Sequence, residues 1–342
     1  MLLTLLVSAA GLGYGYHWLH SPMPLPPEGR VYDLPAGQSL GHLSARLHSE
    51  GVLKHPRLLR LYARLTDRTH AQAGEYRLQS NTSPLEMLRM LNRGDTVLHQ
   101  VTLVEGWTFK QALEALHSEA TIVPSLKGLS FEEQLQRLEL DIEHPEGWFF
   151  PDSYRYSRGT TDVELLRKAH RRMVDLLAEL WEQRDVGLPY DSPYEALIMA
   201  SIVERETGAP WERDEIAGVF VRRLQKGMRL QTDPTVIYGM GERYQGRITR
   251  QDLRTPTPYN TYTNHGLPPT PIALPGKDAL RASLNPLPGE SLFFVARGDG
   301  THVFSETLEE HNRAVREYQL QRRADYRSTP PAQPPEPAQP LE

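Results

Sequence analysis

The run from Ser192 to Gly208 constrains this chain more than any other segment. It reads Ser192-Pro-Tyr-Glu-Ala-Leu-Ile-Met-Ala-Ser-Ile-Val-Glu-Arg-Glu-Thr-Gly208. That is a largely apolar helix, with Pro193 at its first helical position, Asp191 or Ser192 as cap and Gly208 as stop signal. Such a helix has to be covered by other elements, yet Glu204 and Glu206 stand near its C-terminal end. Projected at about 100° per residue, Glu204 falls with Leu197, Ala200 and Ser201, and Glu206 with Met199, Ile202 and Val203. Neither face is plainly wet. A desolvated carboxyl resists ionisation, the condition for a group that gives up a proton near neutral pH and takes it back. The alternative is a solvated helix end, since buried carboxylates are uncommon, and projection alone does not choose.

With 342 residues, 39% hydrophobic and 24% charged, the chain has room for two or three domains with real cores. A formal net charge of -5 gives no general pull toward nucleic acid. No Gly-rich phosphate loop and no zinc-ligand spacing occurs, so no nucleotide, nucleic-acid, cofactor or metal function is expected. The absence of cysteine removes disulfides and thiol chemistry together, and suits an oxidising compartment.

Met1 to Leu19 holds no charged side chain and ends in Tyr14, Tyr16 and Trp18. We read residues 1–20 as a single-pass transmembrane anchor with an aromatic belt, a cleaved signal peptide being the alternative. Residues 21–30, containing Ser21-Pro-Met-Pro-Leu-Pro-Pro27, form a stiff Pro-rich spacer that would hold the folded part off the bilayer. From Val31 to about Leu98 the pattern is a small α/β module: strand Val31–Leu34, a helix led by Ser39, a helix over Pro56–Leu65, strand Gly74–Leu78, and a helix opened by Ser83-Pro84-Leu-Glu86. Val101-Thr-Leu-Val-Glu-Gly106-Trp-Thr108 echoes the first turn, with Gly106 in the place of Gly37 and Thr108 in that of Ser39.

Residues 99–327 form the larger domain, of mixed α+β class. Its sequence gives helices over Phe131–Leu138, Asp162–Arg184 and Glu212–Gln225, an extended Leu230–Tyr238, and a hairpin of Leu292–Ala296 with His302–Phe304. The proline-rich stretch Thr255–Pro275 is expected to be a rigid surface loop. Trp148 and Tyr154 belong to an aromatic loop around Gly147 that serves either as core packing or as a platform for sugar rings. Residues 328–342 are expected to be a disordered Pro-rich tail.

Several long segments also resemble a known family. They are Glu146-Gly-Trp-Phe-Phe-Pro-Asp-Ser-Tyr154, Ala200-Ser-Ile-Val-Glu-Arg-Glu-Thr207, Val219-Phe-Val-Arg-Arg-Leu224, Met228-Arg-Leu-Gln-Thr-Asp-Pro-Thr-Val-Ile-Tyr-Gly239, Tyr259-Asn-Thr-Tyr262 and Gly266-Leu-Pro-Pro269. Together they resemble the YceG-like family of membrane-anchored endolytic murein transglycosylases, from the anchor to about residue 320. His265, before the last motif, departs from the family pattern.

The resemblance implies a LysM-like module over 31–98 and a catalytic glutamate in the Ile-Val-Glu-x-Glu-Thr motif, taken as Glu204. It also implies cleavage of the β-1,4 bond between N-acetylmuramic acid and N-acetylglucosamine in nascent peptidoglycan, leaving a 1,6-anhydromuramoyl end. The implied setting is the bacterial inner membrane with the catalytic domain in the periplasm, and the implied partners are glycan strands and peptidoglycan synthases of the penicillin-binding class. Gln231, Thr232, Asp233, Tyr259, Asn260, Trp148 and Tyr154 are candidate substrate-binding residues, with no metal and no cofactor. Glu206 is the secondary candidate, read as orienting backbone at the helix end. A hydrolysing muramidase would instead use a second carboxylate, Glu206 or Asp233. A murein-binding scaffold without catalysis is the remaining alternative.

Overall fold

A computed structural model describes residues 2–35 and 37–320. The helices, in chain order, are α1 Leu2–His20, α2 Leu40–Ser49, α3 Pro56–Leu65, α4 Pro84–Arg93, α5 Phe109–Ser118, α6 Phe131–Leu138, α7 Asp162–Glu182, α8 Pro193–Glu206, α9 Arg213–Gln225, α10 Asp233–Met240, α11 Arg250–Arg254, α12 Lys277–Leu284 and α13 Leu308–Val315. The strands are β1 Arg30–Leu34, β2 Gly74–Leu78, β3 Leu98–Thr102, β4 Ser153–Ser157, β5 Phe293–Ala296 and β6 His302–Ser305. They form two-stranded sheets β1–β2, β3–β4 and β5–β6, so the class is mixed α+β. The tail expected over 328–342 lies outside the described residues.

The chain divides into two compact units. Of the described residues, the first takes those up to Val101, Leu116–Lys127 and Tyr154–Leu165, and the second takes Thr102–Ala115, Gly128–Ser153 and those from Leu166 onward.

In the first unit β1 pairs antiparallel with β2, Tyr32 opposite Tyr76. Alternation along the strands puts Tyr32, Leu34, Tyr76 and Leu78 on one buried face. Leu40, Leu43 and Leu47 of α2, Leu59 of α3, and Leu85, Leu88 and Leu91 of α4 close over that face. The end of α1 joins this core through Trp18 and Leu19. So does the Pro-rich segment, which is docked rather than standing clear: Met23 is buried and its N–H donates to the Thr82 carbonyl at 2.9 Å. Of the anchor expected over residues 1–20 the structure shows the helix. Among the described residues, however, no helix is long and apolar enough to cross a membrane.

The second unit is built around α8. Eight successive residues, Ala196 to Val203, are buried, enclosed by α9 and α12, by Met173, Leu177 and Leu180 of α7, and by Phe150 and Tyr190. Burial on every side is what an apolar helix requires, and truncating such a leucine to alanine costs about 2–5 kcal/mol. The Ser192 hydroxyl accepts from the Glu195 N–H, and Pro193 opens the helix, as the start signals predict.

The stop differs from expectation. Thr207 turns extended (φ -135°, ψ 140°) directly after Glu206, and its hydroxyl accepts the Ala209 N–H at 2.9 Å. Gly208 is not in the left-handed region. Glu206 is therefore the last helical residue.

Two further expectations are corrected. Leu230–Tyr238 is not a strand: Gln231 turns left-handed, Thr232 is extended, and α10 begins at Asp233. Pro234 in the first turn acts as a helix start, outweighing the strand preference of Thr235, Val236 and Ile237. The Thr255–Pro275 stretch has no helix or strand but is not confined to the surface: Ile272, Ala273 and Leu274 are buried, and the Ile272 N–H donates to Ser201 Oγ of α8 at 2.9 Å.

Gly37 and Gly106 both hold left-handed backbones, φ 82° and 79°. Gly147 has φ 83°, and a β-carbon there would lie 2.6 Å from the Pro271 ring, so no larger residue fits that close approach.

Candidate active site

The two glutamates of α8 meet different surroundings. Glu204 accepts from Arg213 Nη2 at 3.1 Å and from the Gly276 N–H at 3.0 Å. The guanidinium is itself buried and also faces Asp278 at 3.6 Å and Glu105 at 3.9 Å. Burial, opposed by the Gly276 N–H and the Arg213 charge, leaves the Glu204 carboxyl above its ordinary range. The side chain is 6% exposed. It is a clamp joining the end of α8 to the N-terminus of α12.

Glu206 instead lines a cavity of about 640 Å³ in the second unit, which Glu204 does not border. Burial pushes its carboxyl up to about 7; the Thr232 hydroxyl, donating at 2.8 Å, works against this, and the nearby Asp233 charge adds to it. A carboxyl of that kind is protonated in a large fraction of molecules near neutrality, so it can act as acid and then as base.

Around Glu206 the cavity brings together Gln231, Asp233, Tyr262, Arg223, His302 and His311, with Phe293 and Phe294 as apolar wall. The Tyr262 hydroxyl donates to Asp233 Oδ1 at 2.6 Å. Gln231 holds a left-handed backbone, φ 54°, a conformation that costs a side-chain-bearing residue roughly 1–2 kcal/mol. Its N–H donates to the Thr261 carbonyl, and the Thr232 N–H to Thr261 Oγ1. Arg223 ties the parts together, Nε donating to the Leu292 carbonyl at 2.6 Å and Nη1 to the Leu230 carbonyl at 2.8 Å. The hairpin and the turn before α10 are thus held by one side chain of α9.

The other sequence candidates fall elsewhere. Thr232 is buried and serves Glu206. Asn260 is buried, and its amide donates to the carbonyls of Asp252, Leu253 and Thr255, closing the end of α11. The Tyr259 ring packs edge-on against Tyr238, and its hydroxyl meets Thr270 Oγ1. Trp148 stacks on Tyr194 at 5.6 Å between centroids. Tyr154 is buried in β4 and counted in the first unit. Sequence reasoning did not select His302, His311, Tyr262 or Arg223, which reach the cavity from segments up to about a hundred residues away from Glu206. It also passed over Glu146 as a functional candidate. This buried carboxyl accepts the Phe109 N–H at 2.8 Å and the Tyr238 hydroxyl at 3.1 Å, and burial pushes it up to about 7. Among the described residues no cluster of three or more His, Asp or Glu is placed to hold a metal ion.

Set against known proteins, the chain matches the YceG-like family over residues 32–317. It belongs to that family. An endolytic murein transglycosylase of Bacillus subtilis is 32% identical over 303 residues, covering 84% of each protein. One from Streptococcus pneumoniae is 29% identical over 351 residues, 92% of this chain and 63% of the relative. A crystal structure of a putative YceG-like protein from Listeria monocytogenes superposes with a TM-score of 0.51 at 29% identity, covering 84% of this chain and 99% of the other.

Proposed function

We propose that the chain is an endolytic murein transglycosylase that cuts peptidoglycan glycan strands between N-acetylmuramic acid and N-acetylglucosamine, with Glu206 as the proton-transfer group. The single observation that carries this is the placement of Glu206: a carboxyl raised to about 7 at the end of the core helix, facing a cavity large enough for saccharide units. Family membership and the names of the relatives support the substrate and the reaction.

Protonated Glu206 donates to the glycosidic oxygen as the C1–O bond breaks. The resulting carboxylate takes the proton of the muramoyl C6 hydroxyl as that oxygen bonds to C1, closing the 1,6-anhydro ring. One proton leaves the carboxyl and one returns, so the enzyme ends as it began and no water is consumed. Gln231 and Asp233 offer hydrogen bonds to the sugar. Glu204, first in order by sequence, becomes the residue that fixes the helix end through Arg213 and Gly276.

In the same reading the uncharged N-terminal segment attaches the protein to the bacterial inner membrane, with the catalytic unit in the periplasm. The strand-helix-helix-strand order of β1, α2, α3 and β2 supports a LysM-like module that binds glycan. Peptidoglycan synthases of the penicillin-binding class are partners on nascent strands.

The test is the product formed from purified peptidoglycan. Fragments ending in anhydromuramic acid, one water lighter than reducing ends, are expected from the native protein and absent with Glu206→Gln. Reducing ends would mean hydrolysis, with Asp233 as the second carboxylate. Undiminished cleavage by Glu206→Gln would remove Glu206 from the chemistry.

A further inference from the structure

One pair has no part in the proton transfer just described: His302 of the cavity wall and the buried Glu212 that holds it. Glu212, 7% exposed, spends both carboxylate oxygens on a single residue: Oε1 accepts the main-chain N–H of His302 at 2.9 Å, and Oε2 lies 2.7 Å from His302 Nδ1. A carboxylate only accepts, so Nδ1 carries a ring proton, and in the neutral ring Nε2 is left with its lone pair. Nε2 has no protein partner among the described residues, yet it is not sealed in, unlike Nε2 of His170. The space that His302 borders is the Glu206 cavity. Phe294 packs edge-on against the imidazole at 5.4 Å, and Phe293 lies in the same wall. An aromatic wall beside a fixed hydrogen-bond acceptor suits a sugar, whose ring faces are apolar and whose rim is hydroxyl.

We propose that His302 is a glycan-contacting residue, its Nε2 accepting a hydrogen bond from a sugar hydroxyl in the Glu206 cavity, and that Glu212 is the positioning residue that fixes this role. The inference rests on that cavity being the glycan site.

The two-point grip gives a sharp test. In Glu212→Gln the main-chain N–H of His302 still needs an acceptor and keeps the amide oxygen. The amide NH2 then faces Nδ1, which must accept, so the ring proton moves to Nε2. The shape of the site is unchanged while Nε2 turns from acceptor into donor.

Binding of peptide-free glycan strands is measured by calorimetry on the full chain carrying Glu206→Gln, in mildly alkaline buffer, with thermal melting as the folding control. Glu212→Gln and His302→Leu are each expected to weaken binding about tenfold. His302→Gln, which can place an amide oxygen near the position of Nε2, is expected to recover most of it. Parent-like binding by Glu212→Gln or by His302→Leu overturns the inference, as does equal loss in His302→Leu and His302→Gln. Should Glu212→Gln not fold, the Leu and Gln variants of His302 decide alone. If the Glu206→Gln parent itself binds no glycan, the reading of the cavity fails, a result distinguishable from failure at His302.

Discussion

The two sides of the last turn of α8 present the same side chain two residues apart and ask opposite things of it. On one side Glu204 has a buried cation and a main-chain N–H, both aimed at its oxygens. On the other Glu206 has one hydroxyl donor and a cavity. A carboxylate whose charge is answered by the protein is a fastener. One whose charge is poorly answered keeps its proton and has space beside it for a substrate. Burial alone does not separate these roles, because it raises both groups. What separates them is whether the remaining hydrogen-bonding capacity faces protein or space.

The largest effect that would break this comparison is at Glu206. Glu206→Gln should lower release of anhydromuropeptides by about three orders of magnitude, the scale of a lost general acid and base, with little change in melting temperature. If Glu204→Gln has that effect instead, the roles are reversed. The pH profile sharpens the point. Since the acid form of Glu206 persists up to about 7, kcat/KM should fall as pH rises above that value, and Glu204→Gln should not move the fall.

Glu146 supplies a control, a buried carboxyl with donors and no part in the cavity. Its folded value is raised from 4.5 to about 7, so the folded state holds the proton more tightly than the unfolded one. Its contribution is fully present below about 4.5 and is lost as pH rises to about 7, an effect of roughly 3 kcal/mol. Glu146→Gln should flatten that part of the slope in denaturant titrations while leaving the chemistry in place.

Glu204→Gln should cost about 2 kcal/mol of stability, because the buried Arg213 loses its nearest countercharge, and should reduce turnover less than tenfold. Smallest is Gln231→Gly. Relief of the left-handed backbone is offset by a freer unfolded chain, leaving a net change within about 1 kcal/mol. If Gln231 holds substrate, the KM for glycan rises while kcat changes little.

Element boundaries were legible wherever local chemistry sets them. Ser83 with Pro84, Ser192 with Pro193, and Thr307 with Glu310 open their helices as the sequence indicates. α10 was not, because its start residues compete with a β-branched run and only the packed structure decides. The different surroundings of Glu204 and Glu206 were illegible for a different reason. Projection gives an angle about one axis, whereas the Gly276 N–H arrives from the start of α12, some 70 residues later. The cavity wall arrives later still, with the β5–β6 hairpin and α13. His302 carried no local signal; its meaning depends on Glu212, which reaches it from 90 residues earlier in the chain.

The enclosure of α8 on every side has an evolutionary reading. A rod wedged among α9, α12 and α7 cannot turn by a few degrees without opening voids along eight consecutive buried positions. The position of Glu206 is thereby frozen, while the facing wall is a short hairpin at the margin of the core. Divergence toward other saccharides would rewrite the hairpin and leave the rod alone.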